Sequence, residues 1–396
     1  MNDKKYDYFL VRNKMKNLLR FSYDHRLGIY YEVLINGKWQ KKEVIYKESF
    51  ENFYVIEDFN KNINLLCQDV SGDIILCILD GYEWKYKTLF YMKYNEIMPI
   101  EAKIFCSKNN IHLLYNLINE SNTIEMIIHQ SYKELSDWSP LDVLINIDCY
   151  SSLSYYISQS YNSCVILINS MVYGIYKLSS RAFNISKNLW EKEMVIYISR
   201  MPYKDFSFCV VENRSHYLIV TEESNLNVLV YQYRDILTDK QIELQKNLIL
   251  FEDEEVDSCV MLTLDNVLWA LWIIDKKLYG CFSRNNGQDF SDPMVYKIFD
   301  NIIPTKAHYK EFIEEEKIYI DNEIYIINNN MEVDLFLHEL LVAQVALDID
   351  SNKQHMKFKD IVYENININH KDIEDRSSEK KFSIKNGFLT INSREL

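Results

Sequence analysis

The feature that most constrains the fold of this chain is a repeat of about 50 residues. Seven stretches each hold short apolar runs separated by turn residues. The second runs are centred near Phe21, Leu66, Leu114, Ile166, Ile219, Leu271 and Tyr319. Four short strands and their turns fit this length. One such twisted sheet cannot cover both of its apolar faces, so neighbouring units must stack face to face.

Aromatic residues recur in the same register. Tryptophan lies between the third and fourth runs of four units, at Trp39, Trp84, Trp138 and Trp190. Phe290 takes this place in the sixth unit, after the apolar run that ends at Ser283 and a tight Asn-Asn-Gly turn. We expect these side chains to wedge between adjacent units, because a large ring buries most area where two sheets meet.

The repeat therefore predicts an all-β chain, folded as a β-propeller of four-stranded blades, with seven blades favoured over six. A pair of β-sandwich domains is the alternative. We expect the propeller to span residues 1–336 and a C-terminal extension to span 337–396. At the boundary between the two, 334–347 fits a helix or a strand equally well. Residues 348–381 are polar, and 382–392 read as a hairpin with an Asn-Gly turn.

Charge and hydropathy exclude several classes of partner. The 396 residues carry 44 basic and 58 acidic side chains, a net charge of −14. This balance argues against nucleic acid and against anionic membrane surfaces, since both need basic patches. No window of 18 apolar residues is long enough to span a membrane. The N-terminus lacks the pattern of a secretory signal.

Cysteine and histidine spacing indicates neither a disulfide framework nor a metal site. The eight cysteines are scattered, mostly within apolar runs, and form no CxxC pair. We therefore expect buried, reduced thiols and a cytoplasmic location. The eight histidines show no HxxxH spacing, and no glycine-rich phosphate loop is present. The sequence accordingly predicts no metal and no cofactor.

The segment Ser283-Arg-Asn-Asn-Gly-Gln-Asp-Phe290 resembles the Asp-box of sialidase-like propellers, whose pattern is Ser-x-Asp-x-Gly-x-Thr-Trp. Asn285 stands for the aspartate, Gly287 matches the glycine, Asp289 stands for the threonine and Phe290 for the tryptophan. The resemblance covers most of the chain as architecture, but the motif itself occurs clearly once. It implies a structural role, in which the short polar side chains hold the turn and the aromatic fills the core between blades.

The resemblance does not extend to the residues that sialidases use for catalysis. Those enzymes hold the substrate carboxylate with three arginines and use a Tyr–Glu pair with an acidic acid/base residue. Ser199-Arg-Met-Pro202 is similar to the short Arg-x-Pro motif of the family, but it lies in mid-chain. A turn between the fourth and fifth units is the simpler interpretation of that segment.

The first run of each unit should line the central channel of a propeller. We identify Tyr8, Tyr54, Tyr156, Phe208 and Tyr309 as candidate binding residues at the channel mouth, where aromatic rings could stack on a sugar or anchor a peptide. Packing of the ring interior is the alternative. No catalytic residues are identified.

The leading hypothesis is a non-catalytic cytosolic propeller that serves as a protein-interaction or structural platform. The alternative is a glycan-handling propeller, either a lectin or a sialidase-like glycoside hydrolase. The oligomeric state is left open.

Overall fold

The protein is built from β-strands. The computed structural model describes residues 8–335, except 36–37, 82, 92–98, 108–109, 119–123, 134–137, 149–151, 224–225, 237–247, 253–255, 265–266, 299–303, 314–317 and 330–331, together with 382–385 and 388–391. No helix occurs among these residues.

The described strands up to residue 298 form six successive sheets, which we call blades 1 to 6. Blade 1 contains β1 (Tyr8–Arg12), β2 (Leu18–Asp24), β3 (Gly28–Ile35), β4 (Lys38–Trp39) and β5 (Glu43–Tyr46), and blade 2 contains β6 (Ser49–Glu57), β7 (Ile63–Asp69), β8 (Asp73–Asp80) and β9 (Glu83–Tyr91). Blade 3 contains β10 (Ala102–Ser107), β11 (Asn110–Ile118), β12 (Ile124–Lys133) and β13 (Asp142–Asp148), and blade 4 contains β14 (Ser152–Gln159), β15 (Ser163–Val172), β16 (Ile175–Asn184), β17 (Leu189–Trp190) and β18 (Met194–Ser199). Blade 5 contains β19 (Asp205–Val211), β20 (Arg214–Glu223), β21 (Leu226–Asp235) and β22 (Leu248–Glu252), and blade 6 contains β23 (Ser258–Leu264), β24 (Val267–Ile274), β25 (Lys277–Ser283) and β26 (Met294–Ile298).

Each blade is an antiparallel meander of four strand positions. The order runs from inner to outer strand, as in β6-β7-β8-β9. In blades 1 and 4 the outer position is divided, because β4 and β5 both pair with β3 and β17 and β18 both pair with β16. The second strands are covered on both faces, which explains their continuous apolar sequences. All eight residues of VLWALWII in β24 are buried.

The blades pack face to face around a common axis, as the repeat predicts. Buried apolar clusters join blades 1 to 4, blades 4 and 5, and blades 5 and 6. A further cluster returns from blade 6 to blade 1, where Val260 and Leu271 join Leu10 and Leu18. The chain is therefore a β-propeller of four-stranded blades.

The recurrent aromatic residues lie between blades. Trp84 of blade 2 meets Tyr31 of blade 1 edge-on, with ring centroids 5.9 Å apart. Trp190 of blade 4 lies 6.1 Å from Phe105 of blade 3, again edge-on. The same relation brings Trp138 against blade 2, Trp39 into the blade 6–blade 1 cluster, and Phe290 against blade 5. Each ring thus contacts the blade before its own in the ring. Such pairs add about 0.5–1.5 kcal/mol each beyond their buried area.

The Asn-Asn-Gly turn of blade 6 is held by its own short polar side chains. Ser283 Oγ accepts a hydrogen bond from the Gly287 backbone N–H at 2.8 Å, and Asn285 Oδ1 accepts one from the Asp289 N–H at 2.9 Å. Asn285 Nδ2 donates to Asp289 Oδ2 at 2.7 Å. Gly287 has a φ of +84°, in the left-handed region that a glycine adopts without strain. These bonds bring Phe290 to within 4.7 Å of the Tyr231 ring of blade 5.

The seventh sequence unit does not form a separate four-stranded sheet among the described residues. Its strands β27 (Thr305–Ile313), β28 (Ile318–Asn329) and β29 (Glu332–Leu335) continue the sheet of blade 1, because β27 pairs in parallel with β1. We name β27 and β28 the axial hairpin. It resembles half a blade in sequence because both of its strands contribute apolar residues to a buried cluster, Tyr309 from β27 and Ile324 from β28 among them. The sequence spacing therefore suggests a seventh blade where the structure has an inner extension of the first.

Other predictions for the chain have mixed outcomes. In the segment predicted as a C-terminal hairpin the structure describes two paired strands, β30 (Phe382–Lys385) and β31 (Phe388–Ile391), and the Asn-Gly turn lies outside the described residues. The ambiguous segment 334–347 and the polar segment 348–381 fall almost entirely outside the described residues, so the domain boundary near residue 336 stays a prediction. Seven of the eight cysteines are buried free thiols, and Cys149 lies outside the described residues.

Candidate functional site

The axial hairpin occupies the centre of the ring. On β28, Asp321 accepts a hydrogen bond from the Gln159 backbone N–H of blade 4 at 2.9 Å, through its Oδ2. Asn322 Nδ2 donates to the Thr263 carbonyl of blade 6 at 3.1 Å, and Tyr319 donates its hydroxyl proton to the Glu57 carbonyl of blade 2 at 2.8 Å. One strand therefore touches the inner strands of opposite blades. This is possible only if it runs along the axis.

The hairpin carries charged side chains into this buried position. Lys310 Nζ lies 3.1 Å from Asp321 Oδ1 and donates to the Tyr54 hydroxyl at 3.0 Å. His308 Nε2 contacts the same carboxylate oxygen. Lys306 pairs with Asp205 of blade 5. All of these side chains except Lys306 and Asp205 are less than one-tenth exposed. The charges are matched within the axis, as buried charges must be.

The electrostatics of the axis follow from this pairing. Burial opposes ionisation of Asp321, but Lys310 and His308 outweigh it and lower the pKa of that carboxyl. Burial likewise opposes the charge on Lys306, yet Asp205 and Glu323 raise its pKa well above the usual value. Glu57 differs, because burial dominates and raises its pKa to about 7. The carboxylates of Asp321 and Asp205 therefore stabilise the hairpin through their ion pairs with Lys310 and Lys306.

Most of the predicted channel-mouth residues are buried. Tyr54, Tyr156, Phe208 and Tyr309 are 3, 6, 7 and 4% exposed, and Tyr8 is partly buried beneath the Arg20 guanidinium. Tyr54 and Tyr309 contact groups of the axial hairpin or blade 1, whereas Tyr156 and Phe208 belong to the core between blades 4 and 5. A common binding role for the five stays a prediction. Their burial favours the packing alternative.

A cleft of about 320 Å³ opens at one face of the ring, where blades 1 and 2 meet. We call it the blade 1–2 cleft. Its lining residues come from the end of β2 and the following turn, the start of β6, the β7–β8 turn and the segment before β10; they are Tyr23, His25, Ser49, Phe50, Glu51, Asn52, Val70 and Pro99. This volume is within the range of small-ligand sites.

An irregularity of β6 shapes this cleft. Ser49 pairs with Asp69 and Phe53 pairs with Cys67, so four residues along β6 correspond to two along β7. The segment 50–52 consequently bulges out of the ladder between blade 2's first two strands. The inner strands of the other five blades pair with their second strands without such a break. Bulges of this kind re-aim side chains and are enriched beside binding sites.

Tyrosine hydroxyls fix the chain that leads into the bulge. Tyr23 donates to the Ser49 carbonyl at 3.4 Å, and Tyr86 of blade 2 donates to the Ile45 carbonyl at 3.1 Å. The Tyr23 ring also lies edge-on to His25, with centroids 5.5 Å apart. The cleft thus has aromatic walls and a polar rim, and hydrogen bonds to backbone carbonyls fix the segment that leads into it.

Sequence reasoning missed every residue of this cleft. The available signal is the segment Ser-Phe-Glu-Asn at 49–52, which breaks the apolar alternation just before the run Phe53–Ile56. The cleft depends on contacts between two blades and a bulge, and neither can be read from the repeat.

Other sequence candidates lie elsewhere. Arg200 is exposed in the bend after β18, where the Met201 N–H donates to Ser199 Oγ at 2.9 Å. It therefore belongs to the turn between the fourth and fifth units. No group of three or more metal-ligating side chains occurs in the described part of the chain. Nor do the described residues include a helix long and apolar enough to cross a bilayer.

Comparisons with known proteins find distant structural likeness alone. No family model matches the chain, and no curated protein matches its sequence. Among solved structures, a polysaccharide lyase described as an ulvan lyase has a TM-score of 0.45 at 11% identity, over 76% of this chain and 81% of its own.

Two further solved structures show the same level of likeness. A fungal lectin from Aleuria aurantia, described as a six-bladed β-propeller, has a TM-score of 0.40 at 11% identity, over 72% of this chain and 90% of its own. The Trypanosoma rangeli sialidase has a TM-score of 0.38 at 10% identity, over 88% of this chain and 61% of its own. Likeness at this level says nothing about the function of this chain.

Proposed function

We propose that this protein is a non-catalytic β-propeller that serves as a protein-interaction or structural platform. The observation that carries this proposal is the axial hairpin. It fills the position where residues from all blades could converge on a substrate, and it pairs the buried charges there with one another. Groups held in this way are not available to a ligand. We also propose six blades around this hairpin, and a cytoplasmic location stays a prediction from the cysteines.

The outer strands offer the contact surface for a partner. Large apolar side chains are exposed on them, including Val44 on β5, Tyr86 and Tyr91 on β9, Ile198 on β18, and Met294 and Val295 on β26. In blade 6, Met294 and Val295 are adjacent and therefore point to opposite faces, so both faces of β26 are open. Edge strands also present backbone groups that a partner strand can pair with.

The proposal is tested by capturing partners on the immobilised full chain at low salt. We expect a stoichiometric protein partner whose capture falls at least about tenfold in Val44→Lys or Val295→Lys, because lysine on an edge opposes strand pairing. Tyr173→Lys is the control, since Tyr173 is exposed at a turn and not on an edge strand. Capture of no stoichiometric partner, or capture unchanged in both edge variants, would contradict the proposal.

The cleft favours a second candidate, a glycan-handling propeller. Its lectin form is better supported than its sialidase-like hydrolase form, because glycoside hydrolysis needs a pair of accessible carboxyl groups and the axial acids are buried. A screen of aryl glycosides separates the two functions. Turnover that a single carboxylate substitution abolishes would establish an enzyme and overturn the platform proposal.

A further inference from the structure

The blade 1–2 cleft is the feature that the platform function leaves without a role. It is separate from the axis and from the outer edge strands. Its bulged segment is peculiar to blade 2, so neither the repeat nor the packing of the ring requires it. The chemistry of its lining therefore indicates what it could bind.

Charged ligands fit this lining poorly. No lysine or arginine is among the described residues that line the cleft, so phosphate or carboxylate would find no counter-charge on them. Among the described lining residues Glu51 is the single carboxylate, too few for a divalent cation that takes six or more oxygen ligands. A neutral ligand remains.

A purely apolar ligand also fits poorly. It would cover the imidazole of His25 and the amide of Asn52, and their lost hydration would not be replaced. Ser49 adds to this demand, because its buried hydroxyl has no hydrogen-bond partner among the described residues. The ligand must bring hydroxyl or amide groups of its own.

A sugar ring meets both conditions. One face of the ring is made of C–H groups that can lie against Phe50 or Tyr23, and its edge carries hydroxyls that donate to carboxylate and amide oxygens. A single ring is also compatible with a cleft of about 320 Å³. We propose that the blade 1–2 cleft binds one ring of a neutral sugar. The ring stacks on the aromatic wall, and one of its hydroxyls donates to the side-chain oxygen of Asn52.

The first test uses methyl glycosides of glucose, galactose, mannose, fucose, N-acetylglucosamine and sialic acid, with binding to the full chain measured by saturation-transfer NMR and calorimetry. We expect at least one neutral glycoside to bind with a dissociation constant of about 1 mM, the range of a single shallow subsite. The acidic glycoside should bind at least about tenfold more weakly. Absence of binding by every neutral glycoside would overturn the proposal.

Substitutions locate the binding. Val70→Trp fills the cleft and should abolish binding, whereas Val44→Trp should leave it unchanged, because Val70 and Val44 are almost equally exposed (49 and 46%) but Val44 lies on an outer strand. Phe50→Ala and Asn52→Ala should each weaken binding about tenfold. Asn60→Ala, in the exposed turn after β6, should not. Circular dichroism confirms that each variant is folded.

Two further results would overturn the proposal. One is sugar binding that survives Val70→Trp. The other is a protein partner whose capture requires Val70 and is not competed by the bound glycoside, since the cleft would then be a peptide anchor. The edge-strand variants Val44→Lys and Val295→Lys separate failure of the platform function from failure of sugar binding. They should lower capture of a protein partner and leave glycoside binding unchanged.

Discussion

At the scale of single residues, the contact between blades 5 and 6 depends on the absence of one side chain. A Cβ built on Gly287 would lie 1.7 Å from the Tyr231 hydroxyl oxygen, and the φ of +84° disfavours other residues. We expect Gly287→Ala to lower the free energy of unfolding by about 2–4 kcal/mol, because the turn must move off Tyr231. Urea denaturation measures this loss.

Gly81→Ala is the matched control for this substitution. Gly81 has a similar φ of +72°, but a Cβ added there would have nothing within 4 Å. Gly81→Ala should lower the free energy of unfolding by only about 1–2 kcal/mol, the cost of placing an alanine at a positive φ. Equal losses in the two variants would mean that the contact with Tyr231 does not matter.

Buried histidines make stability depend on pH. His112 Nδ1 and His129 Nε2 are 3.1 Å apart between blades 3 and 4. Burial lowers the pKa of His112 to about 3 and that of His129 to about 4; burial also lowers the pKa of His216 to about 3. The folded protein therefore binds fewer protons than the unfolded chain, in which histidine titrates near pH 6.5. Their contribution is complete above that pH and is lost as the pH falls toward 4.

The expected loss is roughly 2 kcal/mol per histidine at about pH 5. Urea midpoints measured from about pH 7.5 to pH 5 test this dependence. His216→Gln should flatten the slope, because this variant removes one of the three buried imidazoles. A midpoint that does not fall with pH in the parent protein would refute the expectation.

At the scale of elements, the axial hairpin is held by polar pairs as well as by apolar packing. Lys310→Met leaves the buried Asp321 carboxylate without its lysine, and we expect a loss of about 3–5 kcal/mol in unfolding free energy. The double variant with Asp321→Asn removes the uncompensated charge while keeping an acceptor for the Gln159 N–H. It should recover part of the loss, with a coupling energy of about 1–3 kcal/mol by double-mutant cycle.

The exposed pair Lys85–Asp80 supplies the control for that cycle. It has a comparable ion-pair geometry at 2.5 Å, but both side chains are more than half exposed. Water screens such pairs, so Lys85→Met should leave the urea midpoint almost unchanged. Additive effects of the two axial substitutions would show that Lys310 and Asp321 do not depend on each other.

The elements also show what the sequence could predict. The repeat predicts strands, blades and the wedge positions because apolar alternation and a recurrent tryptophan are local in sequence, as Trp84 and Trp190 illustrate. It cannot distinguish a seventh blade from the axial hairpin, since both present alternating apolar residues and differ only in their neighbours. The blade 1–2 cleft is likewise out of reach, because Phe50 and Val70 meet Tyr23 only after two blades have packed and β6 has bulged.

At the scale of the whole molecule, the ring is closed by its last inner strands. The axial hairpin pairs with β1 and contacts the inner strands of blades 2, 4, 5 and 6. A chain truncated after residue 304 keeps all six blades but loses these contacts, and it leaves Glu57 and Asp205 on an open axis without their hairpin partners.

We therefore expect the chain truncated after residue 304 to lose its cooperative thermal transition, since a propeller buries its blades only as a complete ring. Truncation after residue 335 keeps the hairpin and should keep the midpoint of the full chain. Circular dichroism and size-exclusion chromatography of the two truncated proteins measure the difference. Full cooperativity without the hairpin would show that the six blades close unaided. Unfolding of the longer form would instead place part of the residues 336–396 within the propeller.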